Sequence, residues 1–375
     1  MVSGARWFIG VVLALGGCLP DGPSSTAAPL PTLPAGTRVE LHDVALVWPL
    51  PPGTGPGSGD GFLGPVLGCD DLAVFEPLTR TDEPDTLCTG LTVTAARLDP
   101  CFREGGTDAV CQPQLRLILQ PVIGGDARDA SIHAFFAVPE RELARGIARL
   151  VELRQRRGLD GRGALGVHPL LLDVSGRVAV ATVINDVLAA STLEQFTQIT
   201  VHGDDAAWTF EFRVFEDGAP STGEAIQQHV LSPDPDVIGI SITPLGDHDD
   251  DFSLLLDDVA AREATPAQTQ AAFDAAARVE HPDENDPGTI DCARCHTAAV
   301  ARSAARARTP GLNDVDAFTA TRHDLTPTAV FQDAQFIHAL AWRHADLAIN
   351  PRVAHEAASS ADLAEPLLVS HGALP

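Results

Sequence analysis

Between residues 37 and about 262 the apolar positions fall in short runs that alternate with polar ones or are bounded by Gly, Pro and Asp. "TRVELHDVALVWPL", "QLRLILQPV", "ASIHAFFAV", "RVAVATVI", "FTQITVHG", "WTFEFRVFE" and "DVIGISITP" are rich in Val, Ile, Phe and Thr. A period of two in such residues predicts half-buried antiparallel strands. The expected fold over 37–262 is therefore a β-sandwich or partly open barrel. One segment breaks the rhythm. In "PERELARGIARLVELRQRRG", Leu143, Ile147, Leu150 and Val151 recur at helical spacing, with Pro139 near the start and Gly158 near the end, which predicts an amphipathic helix. Arg141, Arg145 and Arg149 form a second stripe on it, read as a solvated face rather than a docking site.

The pattern changes after about residue 262, where Ala, Gln and Arg dominate. Thr265-Pro266-Ala267-Gln268 supplies a cap hydroxyl, a first-turn proline and a glutamine able to reach back, so a helix should run to about Val279. The loop "HPDENDPG" follows. A second helix should begin near Thr289 or Asp291, pass through "CARCHTAAVARSAARAR" and stop before Pro310; a third should run from Pro327 or Phe331 to His344. The whole chain thus reads as mixed: a β-rich domain, then a small, mainly α-helical segment over 263–375.

The amino terminus adds a destination. Arg6 precedes an apolar run from Trp7 to Leu15 that is too short to remain in a bilayer, and small residues follow, the pattern of a secretory signal over 1–17. Leu15-Gly16-Gly17-Cys18 resembles the lipobox of bacterial lipoproteins, which implies lipidation of Cys18. Residues 18–36, "CLPDGPSSTAAPLPTLPAG", have little apolar bulk and read as a flexible tether. Leu19, where an aspartate would imply inner-membrane retention, points by that resemblance to the outer membrane of the cell envelope. A net charge of −26 excludes nucleic acid as a partner, and no second stretch is apolar enough to cross a membrane, so attachment would be through lipid.

With Cys18 set aside, six cysteines remain. Cys69, Cys88, Cys101 and Cys111 cluster and in an oxidising compartment predict two disulfides, with three pairings open. The acidic stretch "GDHDDDFSLLLDD" lacks the spacing of a calcium loop. No nucleophile elbow, H-E-x-x-H or phosphate loop is present, so nothing in the β-rich region points to an enzyme.

Cys292, Cys295 and His296 carry the chemistry. Residues three and four apart share a helix face, so both thiols project to one side with the imidazole beside them. A redox pair of the thioredoxin kind lacks its strand-before-helix context and leaves His296 unexplained. A zinc site needs a fourth ligand, and a plain disulfide leaves the histidine to chance. The segment "CARCH" matches the attachment motif of c-type cytochromes, and the chain resembles a bacterial lipoprotein bearing one such motif. That resemblance implies one covalent haem c, thioethers at Cys292 and Cys295, and His296 as the proximal iron ligand.

It also implies a sixth ligand or an open site. The usual methionine is missing, since Met1 is the only one; lysine and tyrosine are absent too. Histidine is the best remaining donor. His338, in "DAQFIHALAWRH", is favoured because Ala334, Ile337, Ala341 and Trp342 would share its helical face; His281, His323, His344, His355 and His371 are the others. The implied activity is electron transfer to a redox partner protein or haem-based sensing, rather than enzymatic catalysis. The competing expectation is a surface binding or scaffold lipoprotein whose Cys292–Cys295 pair is a structural disulfide.

Overall fold

A computed structural model describes residues 29–50, 91–102, 110–128, 130–202, 207–216, 219–220, 226–231, 241–242, 250–286, 289–327 and 339–375. The fold opens with a single helical turn, α1 (Leu41–Val44), followed by strands β1 (Ala45–Val47), β2 (Leu91–Phe102), β3 (Gln112–Ile123), β4 (Asp126–Ala127) and β5 (Ser131–Ala137). Helices α2 (Glu140–Arg156) and α3 (Val174–Ala189) interrupt them. The strands resume with β6 (Thr192–His202), β7 (Ala207–Glu216), β8 (Ala219–Pro220), β9 (Ile226–Leu231) and β10 (Ser241–Ile242). They join in one antiparallel sheet of order β1-β2-β3-β5-β6-β7-β9-β10, with β4 paired to β3 and β8 to β7.

The strand-rich, antiparallel character matches the sequence pattern, but the layering differs. Among the described residues the strands form this sheet and one small hairpin, and helices rather than a second sheet cover the apolar face. Alternation along β2, β3 and β5 sends Leu98, Leu115, Leu117, Leu119, Ile132, Ala134 and Phe136 to one side. There they meet Leu143, Ile147, Leu150 and Val151 of α2 and Val180, Val183, Ile184 and Val187 of α3. Burying each such side chain contributes about 1.5–3 kcal/mol. Residues 177–184, expected as a strand, lie within α3: Asp173 caps it through the Gly176 amide at 2.8 Å. Its buried positions, 180, 183, 184 and 187, follow the helical period.

Chain past 250 supplies α4 (Asp258–Glu263), α5 (Pro266–Val279), α6 (Cys292–Arg308), a hairpin of β11 (Leu340–Arg343) and β12 (Asp346–Ile349), and α7 (Pro351–Ser370). The capping box at Thr265 forms as the spacing predicts. Helices α5 and α6 pack together through alanines around Phe273 and Val300. The helix expected to reach His344 does not: residues 340–343 are strand β11, held to the sheet by Gln120, whose side chain accepts from the Trp342 amide at 2.7 Å and donates to the Trp342 carbonyl at 2.8 Å. Helix α7 places Ala361, Ala364, Leu367 and Leu368 in the same core as the sheet and α2. The second face of the sheet, bearing Arg97, Asp99, Arg116, His133 and Phe135, meets Glu356 and Ser360 of α7 and His296 of α6.

Candidate functional site

Helix α6 begins at the motif. Asp291 is its N-cap: the carboxylate accepts from the Arg294 amide at 2.8 Å and pairs with the Arg294 guanidinium at 2.6 Å. This fixes the first turn, on which Cys292, Cys295 and His296 sit. Both cysteines are half-buried and are not joined to each other. Burial, then the neighbouring Cys295 and Asp291, pushes the Cys292 thiol up to about 12. Burial also lifts Cys295, to about 11, against the opposing pull of Arg352. A helix N-terminus ordinarily lowers a thiol pKa; here desolvation wins and both groups are thiols at neutral pH. His296 is buried, with 8 % of its surface exposed.

Across from it stands the polar face of the sheet. His133 of β5 lies between Ile118 on β3 and Thr197 on β6, and its ring centre is 6.4 Å from that of His296, the planes inclined by 41°. Desolvation, followed by the charges of His296, Arg116 and Arg97, pushes His133 down to about 3. One row along the sheet are Arg97, Arg116 and Phe135, mutually in register. Phe102 and Phe135 stand 6.0 Å apart with the Arg116 guanidinium over both, at 4.3 and 5.2 Å.

A buried ion-pair cluster completes the wall. Asp99 pairs with Arg97 and Arg116 at 2.8 Å each, and Glu356 pairs with Arg97 and, at 2.7 Å, with Arg352. Arg352 also donates to the carbonyls of Val279 and Asn285 at 3.0 and 2.7 Å, tying α7 to the segment before the motif. The cluster holds three guanidiniums against two carboxylates. The Nε groups of Arg97 and Arg116 are buried without an acceptor among the described residues. These side chains, with Phe102, Leu363, Asp283 and Asp286, line an open cleft of about 560 Å³, solvent at its mouth included.

The other sequence-predicted residues fall as follows. Cys101 and Cys111 are bonded to each other, joining the end of β2 to the chain entering β3. Cys18, Cys69, Cys88 and His338 lie outside the described residues. Ala341 and Trp342, expected to share a helical face with His338, belong to β11. His323 and His344 pair with Asp362 and Asp126, and His371 with Glu140. The Nδ1 of His355 is 2.8 Å from the Glu280 carbonyl. Among the described residues no three His, Cys, Asp or Glu side chains gather as a metal cage. His133 lies far upstream of the motif and is not among the histidines that the resemblance suggested. Its one signal was a lone histidine in the apolar strand "ASIHAFFAV".

The residues present fit haem c by their chemistry. Two thiols and an imidazole leave one helical turn together, an aromatic pair walls the neighbouring sheet, and unpaired guanidinium donors suit a group carrying carboxylates. Compared with known proteins, the chain matches no family model, no curated protein and no solved structure.

Proposed function

We propose that this chain is an exported, lipid-anchored protein of the c-type cytochrome kind, holding one covalent haem on Cys292 and Cys295 with His296 as the proximal ligand. Its role is electron transfer or haem-based sensing in the cell envelope, with the membrane reached through lipid on Cys18 and electrons exchanged with a partner protein. The observation that carries this reading is the placement of C-A-R-C-H on the first, capped turn of α6, with its imidazole buried against the sheet. When bound, haem supplies a one-electron iron centre.

The chain's own groups do the rest. Cys292 and Cys295 would hold the haem through their sulfurs, and His296 would hold its iron. His296 would present its imidazole, Phe102 and Phe135 an aromatic wall, and Arg97 and Arg116 donors for carboxylates. The test is maturation in an envelope supplied with haem-attachment machinery, followed by intact-mass measurement and a haem stain on a denaturing gel. One haem retained after denaturation, lost in Cys292→Ser/Cys295→Ser, is the expected result. Colourless protein with Cys292 and Cys295 joined overturns it.

A further inference from the structure

We propose that His133, on strand β5 of the sheet, is the second axial ligand of the iron held by His296. This rests on the haem reading above and adds to it a residue from a distant part of the chain. The ligation geometry of two imidazoles on one metal is narrow. A metal–imidazole nitrogen bond is about 2 Å and that nitrogen lies about 1.2 Å from the centre of its ring, so opposed imidazoles should have centres about 6.3 Å apart. His133 and His296 stand at 6.4 Å. Opposed imidazoles share only the axis through the metal, so their planes can be turned freely about it, and the observed 41° between the rings is compatible.

The surroundings agree. His133 projects from the polar face in a row where β5 is flanked by β3 and β6, so its backbone is fixed by ladders on both sides. The His133 ring meets those of Phe135, at 6.4 Å, and His296, and no hydrogen bond to either nitrogen of the His133 ring is found among the described residues. By contrast, His323, His344, His355 and His371 are each engaged elsewhere, with Asp362, Asp126, the Glu280 carbonyl and Glu140.

The ligand set makes the iron a clasp between α6 and the sheet. Two imidazoles also set a lower potential than imidazole with thioether.

The experiment compares full-length holoprotein with His133→Ala, His133→Met and His338→Ala by absorption and electron paramagnetic resonance, with a haem stain alongside. Wild type should be six-coordinate and low-spin. His133→Ala should keep its covalent haem on the gel yet become high-spin, and added imidazole should restore the low-spin spectrum. His133→Met should remain low-spin with a raised potential, which keeps the assignment testable should the alanine variant fail to fold. A five-coordinate wild type, an unchanged low-spin spectrum in His133→Ala, or loss of the low-spin state in His338→Ala instead overturns the assignment of His133 while leaving haem attachment intact. Absence of haem from wild type sinks the underlying reading instead.

Discussion

Glu356 has three guanidiniums around it and little water. Burial alone would raise its pKa, but Arg97, Arg352 and Arg116 more than offset this and hold the carboxyl well below the usual range. A group depressed on folding stabilises the native state fully above its unfolded pKa, about 4.3 for glutamate, and loses that contribution as pH falls toward the folded value. Urea midpoints should therefore drop as pH falls below about 4.3, and Glu356→Gln should flatten that acid limb. At neutral pH the same substitution leaves buried guanidiniums short of a counter-charge and should cost about 3–5 kcal/mol. Asp291→Ala removes the N-cap of α6 and should cost about 1 kcal/mol by chemical denaturation, loosening the turn on which Cys292 and Cys295 sit. At this scale the sequence was most legible where structure is local, as at Asp291, which caps the helix that begins at Cys292. It was least legible for His133, whose ring meets that of His296 only because the fold brings the two together.

Helices and strands declare themselves when one period dominates. Helix α2 and the capped start of α5 were readable from spacing and end residues alone. Helix α3 was not: its Val and Ile content resembles a strand over eight residues, and only the longer window, with Asp173 as cap and buried residues at helical intervals, shows the true period. The third C-terminal helix failed for a different reason. β11 forms because Gln120 and Trp342 exchange hydrogen bonds across the sheet, a tertiary term that local propensity does not contain. How tightly these elements seat is visible at Gly146 of α2. A Cβ there would lie 2.5 Å from Cγ2 of Val187 and 3.3 Å from Cδ2 of Leu98, so α2 reaches both α3 and β2 only because that position has no side chain. Gly146→Leu should lower stability by about 1–3 kcal/mol through overpacking, read as a shifted denaturation midpoint with unchanged secondary structure by circular dichroism.

Taken whole, the molecule is a two-faced sheet: one face apolar and backed by helices, the other carrying a buried ion-pair cluster beside a second apolar cluster that Trp342, Ile349 and Val353 share. Alternation in the strands showed that the sheet has two faces; what covers each depends on chain far away in sequence. The Cys101–Cys111 bond, with a sequence separation of 10, should contribute about 3 kcal/mol by restricting the unfolded chain. A Cys101→Ser/Cys111→Ser protein should show that loss in its urea midpoint. The sharper test is truncation. Because Ala361, Ala364, Leu367 and Leu368 of α7 lie in the sheet's own core, a chain ending at Asn350 should lose its cooperative unfolding transition rather than merely shed a tail.

Helix α7 also imposes an order of events. A polypeptide emerging amino end first can pair its strands early, but the core stays open until Pro351–Ser370 has come through, since those residues fill it and bring Glu356 to Arg97. Until that moment the turn bearing Cys292 and Cys295 is reachable by anything that must modify it; afterwards both thiols are half shut away. On the proposed haem reading, covalent chemistry at those sulfurs would have to precede that closure, and the last long helix would set its deadline.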